Sequence, residues 1–189
     1  MSLRVSFDLH DADLRHLEAL AQQTQAVARS TPADAIIASA RAVLESSERA
    51  QLAEFVKERF ARLRAMLDMA TDADWQPSTE DRQRIVNALA CFGAAPAANM
   101  SSAPAGMLDH AIMIELVSRD LEHDLIAFRD FCKFRSAQAA RTRPGLEDKA
   151  LQSLQQRREI LQARMHARRQ KDLDKAGSSV RKLFSLFGL

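Results

Sequence analysis

Apolar residues recur along this chain mostly three and four positions apart, the spacing that lines one face of an α-helix. The first residues are the exception. Val5, Phe7 and Leu9 alternate, which predicts a short extended arm over residues 4 to 9. Asp11 then stands as an N-cap, and Leu14, Leu17, Ala21 and Ala28 hold helical spacing to about Arg29. Thr31 followed by Pro32 predicts a cap with proline at the first helical position. The face of that second helix is Ile36, Ile37, Ala40, Val43 and Leu44. A third helix is expected from about Ser47 to Met69, with Leu52, Phe55, Val56, Phe60, Leu63 and Leu67 as its stripe. Glu58 and Arg62 are spaced to pair on its outer face. Asp72, Asp74 and Pro77 mark a turn, and Ser78 caps a fourth helix carrying Ile85, Val86, Leu89 and Phe92.

The pattern lapses over residues 93 to 106, where small residues with Pro96 and Pro104 predict a long loop. A fifth helix is expected from about Leu108 to Ala139. Leu108, Ile112, Leu116, Leu121, Leu125, Phe128 and Cys132 form one stripe, and Met113, Val117, Phe131 and Phe134 widen it. A helix apolar over so much of its surface is expected to be the central one, packed on several sides. Phe60, Leu89, Leu116, Leu121 and Phe128 should then share one buried cluster. Arg141 to Gly145 breaks the chain. A sixth helix, about 146 to 176, is strongly polar, with a thin stripe of Leu151, Leu154, Leu161 and Met165. Beyond a Gly177-Ser178-Ser179 spacer, Val180, Leu183, Phe184 and Phe187 fall on one helical face, with Arg181, Lys182 and Ser185 off it.

Fold class follows from this pattern: all-α, a compact multi-helix domain around a long central helix, with a basic helical C-terminal extension. Composition agrees, since the chain has five Gly, five Pro and no Tyr in 189 residues. Charge divides the chain in two. Residues 141 to 189 carry 12 Lys and Arg against 5 Asp and Glu, whereas residues 1 to 140 carry 15 against 20. The expected organisation is therefore a domain over 1 to 140 and an extension over 141 to 189. The segment Met1 to Phe7 has no signal-peptide hydrophobic region, and no run approaches the ~18 apolar residues of a membrane span, so a cytoplasmic location is expected.

The fifth-helix run Leu108-Asp109-His110-Ala111-Ile112-Met113-Ile114-Glu115-Leu116-Val117-Ser118-Arg119-Asp120-Leu121-Glu122-His123-Asp124-Leu125, continued by Phe128-Arg129-Asp130-Phe131-Cys132-Lys133-Phe134-Arg135, resembles the YkvA-like family of small bacterial helical proteins. Arg84 to Phe92 is similar to the helix before that family's signature loop. The resemblance covers about residues 3 to 140 and implies an all-α fold. It brings no established biochemical activity. The family's loop carries an Asp-Leu-Ile-Pro-Asp type motif, and this chain departs from it with Ala97-Ala98-Asn99-Met100-Ser101-Ser102.

Chemistry-bearing motifs are few. There is no GxSxG, GxxxxGK[ST], HExxH or GxGxxG. Cys91 and Cys132 make no CxxC pair and read as small buried hydrophobes. Glu115, Arg119, Glu122 and His123, with Asp109 and His110, lie on neighbouring turns, but no second helix offers matching metal ligands. The plainer expectation pairs Glu115 with Arg119, leaves His123 on the surface, and sets Asp109 at the helix N-terminus. Trp75 is expected as a partly buried anchor. No metal, cofactor or catalytic residue is assigned, and the chain is not expected to be an enzyme.

Two candidate contact surfaces remain. Arg157, Arg158, Arg164, Arg168 and Arg169 make a basic face on the sixth helix, without the aromatics or motif of a nucleic-acid reader. Val180, Leu183, Phe184, Leu186 and Phe187 make an amphipathic tail. Such a tail suits a protein partner's groove, an anionic membrane surface aided by Arg181 and Lys182, or its own domain. Leu183-Phe184-Ser185-Leu186-Phe187 also resembles the bacterial sliding-clamp-binding pentapeptide Gln-Leu-Ser/Asp-Leu-Phe, matching at Ser185, Leu186 and Phe187. The expected function is a non-enzymatic binding or adaptor protein acting through its C-terminal extension. The alternatives are a peripheral membrane protein and, behind it, an enzyme or metal protein whose site the motifs do not reveal.

Overall fold

A computed structural model describes residues 22, 24, 26–48, 52–92, 104–141 and 147–175. All of its regular structure is helical among these residues. The described chain starts in a helix, α1, which ends at residue 30. There follow α2 (Ala33–Glu48), α3 (Glu54–Thr71), α4 (Thr79–Leu89) with a 3₁₀ turn (Ala90–Phe92), α5 (Pro104–Asp120), α6 (Glu122–Ala139) and α7 (Glu147–Lys175).

The apolar stripes become one core. Ile36, Ile37, Ala40 and Val43 of α2 meet Val56, Phe60, Leu63, Met66 and Leu67 of α3, and Ile85, Val86 and Leu89 of α4 complete that layer. Four of the five residues expected at the centre, Phe60, Leu89, Leu121 and Phe128, are buried in this cluster, while Leu116 is only partly buried against it. The helix with the most neighbours is α3, which packs on α2, α4, α5 and α6. The residues of the expected central helix fall in α5 and α6, and both of these pack on α3.

Three boundaries also differ from the reading of the sequence. The second helix runs on to Glu48 and the third begins only at Glu54. The helix expected from Leu108 begins at Pro104, inside the expected loop; residues 93–103 of that loop lie outside the described residues. Most consequential, the long fifth helix is two helices that meet at Leu121, whose backbone turns to φ −98°, ψ 15°. Neither Gly nor Pro causes the break. The Arg84 guanidinium donates to the Asp120 carbonyl oxygen at 3.3 Å and reaches Asp124 Oδ1 at 3.5 Å. A side chain engaged at a main-chain carbonyl disturbs the i to i−4 ladder there, and the next bond back, Leu121 N to Val117 O, is stretched to 3.4 Å.

The turn between α3 and α4 follows from its residues. Asp72 Oδ1 accepts from the N–H groups of Asp74 and Trp75, each at 2.9 Å. Arg135 clamps the turn from α6, 2.8 Å from Asp72 Oδ2 and 2.9 Å from Asp74 Oδ2. Trp75 is more deeply set than expected, only 1% exposed, with its ring centroid 5.7 Å from that of Phe128 and 5.2 Å from that of Phe131. Gln76 follows in the left-handed region at φ 44°. Ser78 caps α4 as expected, accepting from Asp81 N–H at 3.1 Å.

Candidate functional site

Two regions gather polar chemistry. The first lies where α7 crosses α4 and α6. The row Arg158, Gln162, His166 and Arg169 repeats at helical spacing on α7 and faces the domain. Arg158 Nη1 donates to the Asp74 carbonyl at 3.2 Å and to Gln76 Oε1 at 2.7 Å. Gln162 Nε2 donates to the Trp75 carbonyl at 2.9 Å. His166 Nε2 lies 2.8 Å from Asp81 Oδ2. Arg169 Nη1 donates to Asp81 Oδ1 at 2.9 Å and to Asp124 Oδ1 at 3.4 Å. The side chains of Asp81 and Asp124 are only 4% and 2% exposed, so Arg84 and Arg169 neutralise charges that water does not reach.

Between these polar contacts α7 adds little apolar area. Leu161 and Met165 are buried and Leu154 partly so, but Leu151 stands 53% exposed, outside the seam expected for it. Farther along, His123 is not the surface residue expected. It is half-buried, and its Nε2 lies 2.6 Å from Asp172 Oδ2 near the end of α7.

The carboxylates of this region titrate differently, for reasons visible in their surroundings. Burial pushes Asp81 up, but hydrogen bonds from Ser78, His166 and Arg169 outweigh it and hold the carboxyl below its usual range. Burial dominates at Asp124 and raises it, against the pull of Arg84 and Arg169. Burial also raises Asp120 to about 7, with Arg84 the opposing charge. An acid whose folded pKa lies above its unfolded value favours the fold most below the unfolded pKa. That contribution is lost as pH rises through the folded pKa. Asp120→Asn is therefore expected to raise the urea midpoint at pH 8 and to leave it unchanged at pH 3.5. Equal midpoint shifts at the two pH values would show that the ionisation of Asp120 is not the cause.

Ser78, Asp81 and His166 assemble three groups familiar from hydrolases, in an order that does not activate the hydroxyl. Ser78 Oγ donates to Asp81 Oδ2 at 2.7 Å, the same oxygen that His166 addresses. A nucleophile needs its own base beside it, and here hydroxyl and imidazole both turn to one carboxylate. Among the described residues no group of three or more His, Cys, Asp and Glu side chains is placed to hold a metal ion.

The second region is an open groove of about 600 Å³ between α3, α5 and α6. Its apolar lining includes Ala61, Ala65, Leu125, Ile126, Phe128 and Cys132. Glu115 sits at one edge, and three guanidiniums converge on it: Arg59 Nε at 3.3 Å, Arg62 Nη1 at 2.8 Å and Arg119 Nε at 3.4 Å. The expected Glu115–Arg119 pair is present within this set. The expected Glu58–Arg62 pair is not: Glu58 turns to Arg59 at 3.1 Å, because Arg62 reaches across to α5. Arg64, another lining residue, pairs with Glu48.

The structure divides the proposed basic face. Arg158 and Arg169 bond the domain as above, and Arg157 lies with its guanidinium carbon 5.5 Å from the Phe134 ring centroid. Arg164 and Arg168 are exposed. Cys91 is buried, which pushes its thiol pKa up, and Cys132 is half-buried at the groove, also raised chiefly by burial. His110 packs its ring 6.0 Å from that of Phe92, while the side chain of Asp109 lies outside the described residues. The same holds for Val180, Leu183, Phe184, Leu186 and Phe187. Reading by charge missed Asp81, Asp124, Gln162 and His166. The available signal was the polar row on α7, spaced at one helical period beside Leu154, Leu161 and Met165.

No family model, curated protein or solved structure matches this chain. Among the described residues no helix is long and apolar enough to cross a membrane.

Proposed function

We propose that this chain is a non-enzymatic binding or adaptor protein that engages a protein partner through its C-terminal extension. The observation that carries the reading is the fastening of α7. Arg158, Gln162, His166 and Arg169 fix it to the domain along much of its length. Asp172, bonded to His123, holds its far end beside the start of α6. The chain therefore passes Lys175 at a set place, and the segment beyond is presented from a rigid support. Among the described residues Asp81, Asp124 and Glu115 are engaged in ion pairs within the fold, and the contact role is assigned to that segment.

Val180, Leu183, Phe184, Leu186 and Phe187 are the proposed contact residues. Burying them contributes roughly 1.5–3 kcal/mol each before ordering costs, enough for micromolar binding by the tail alone. Arg181 and Lys182 make attachment to an anionic membrane the second reading. Kinship with the YkvA-like family belongs to the same proposal and rests on the run from 108 to 135.

Pull-down and liposome sedimentation should be compared for the full chain, a chain ending at Gly177, and Phe184→Ala/Phe187→Ala. The proposal expects a protein partner retained by the full chain and lost by both variants. Loss of liposome binding alone would favour the membrane reading. Retention of every partner by both variants would contradict the proposal.

A further inference from the structure

The flank of α7 turned away from Arg158, Gln162, His166 and Arg169 carries cations that the fold does not use. Arg157, Arg164, Arg168 and Lys171 follow one another at seven, four and three positions, which sets them within ~60° around the helix. None of the four makes an ion pair among the described residues. The carboxylates just beyond Lys171 do not offset them, since Asp172 is turned to His123 and Asp174 to Gln170. On the neighbouring helix α6, Asp130 is half-buried and pairs with none of them.

The row leads into a shallow hollow of about 370 Å³ between α6 and α7. Phe134, Arg141, Lys149 and Ser153 are in its lining, and no carboxylate is. Arg157 joins hollow to row, its guanidinium carbon 5.5 Å from the Phe134 ring centroid. Its Nε is buried without a hydrogen-bond partner. Arg141 and Lys149 are exposed and make no ion pair among the described residues. From Lys149 to Lys171 α7 runs about 33 Å, close to one turn of a nucleic-acid duplex, roughly 34 Å. The bonds that fasten α7 to the domain hold this spacing before any ligand arrives, which lowers the ordering cost of binding.

The ligand that fits is a linear polyanion. An anionic bilayer calls for large apolar side chains beside the cations. Among the described residues Leu151, Ile160 and Leu173 are the exposed ones, and only Ile160 is next to the row. An acidic helix from another protein would also need an apolar stripe to seat it, and none accompanies these cations. Phosphates along a backbone need only the charges.

We infer that the α7 flank of Arg157, Arg164, Arg168 and Lys171, extended by Arg141 and Lys149, binds the phosphate backbone of a nucleic acid without regard to sequence. The inference goes beyond the adaptor reading, which concerns a protein partner and the segment after Lys175, and it stands or falls separately.

Fluorescence anisotropy of a labelled DNA duplex of about 20 base pairs, two helical turns, tests it with the full chain. The variant is Arg164→Gln/Arg168→Gln/Lys171→Gln, three exposed positions outside the packed seam. A control, Arg41→Gln/Lys57→Gln/Arg82→Gln, removes the same charge from α2, α3 and α4. Six phosphate contacts give a slope of log affinity against log salt of about −5, and three give about −3. The expected result is saturable binding at low salt with equal affinity for two unrelated sequences. The flank variant should bind at least about tenfold more weakly, with its slope shallower by about 3, while the control matches the full chain. Absence of duplex binding by the full chain would overturn the inference, as would equal losses in the two variants or none in the flank variant. If the duplex does not bind but phosphatidylserine vesicles do, and the flank variant loses them, the flank belongs to a membrane surface and the inference falls. Phe184→Ala/Phe187→Ala leaves the flank intact, so duplex binding should persist there whatever becomes of partner capture.

Discussion

Replacing Arg169 with methionine is expected to destabilise the protein by about 3–5 kcal/mol, the cost of stranding buried charges whose partner is removed. Arg169 bridges Asp81 on α4 and Asp124 on α6 through one nitrogen, 2.9 Å and 3.4 Å away. Without it, Asp124 keeps only Arg84, at 3.5 Å, and Asp81 keeps Ser78 and His166. Methionine matches the length of the stem but supplies no donor, so the loss is electrostatic rather than a cavity. Urea denaturation at pH 7 measures it. Arg164→Met, on the exposed side of the same helix, should change stability by less than about 0.5 kcal/mol. Similar losses in the two variants would mean that the buried network does not hold α7.

Trp75→Ala should cost a comparable amount, about 3–5 kcal/mol, for a different reason. The indole fills the space between the α3–α4 turn and the Phe128 and Phe131 rings of α6, and it is 1% exposed. Truncation leaves a cavity that the clamped turn cannot close, since Arg135 still pins Asp72 and Asp74. Thermal melts followed by circular dichroism provide the test, because Trp75 is the only tryptophan and its fluorescence goes with it. A loss below about 1 kcal/mol would show that the turn collapses freely onto α6.

The helices were legible because burial imposes the 3.6-residue period on each apolar face. Ile36, Phe60, Leu89 and Phe128 sit where that period puts them. The break at Leu121 was not legible, since the stripe continues through it and its cause, Arg84, stands on another helix. The gap between Glu48 and Glu54 was hidden likewise, there being neither Gly nor Pro in it. On α7, counting arginines grouped Arg157, Arg158, Arg164, Arg168 and Arg169 as one face, although angular position separates the inward Arg158 and Arg169 from the exposed Arg164 and Arg168. The carboxylates that receive Arg169, Asp81 and Asp124, are 88 and 45 positions away in the chain, a distance no local pattern bridges. The groove joins three helices, so its existence depends on packing that the sequence does not display. The tail remains a matter of spacing alone.

The central claim is that α7 belongs to the fold and carries the following segment from a fixed point. Native-state hydrogen exchange of the full chain tests it most directly, by comparing the amides of α7 from Leu154 to Arg169 with those of α6. Protection on α7 that approaches that of α6, and falls selectively in Arg169→Met, is the predicted result. Amides of α7 that exchange as fast as those of an isolated helix, while α6 stays protected, would contradict it.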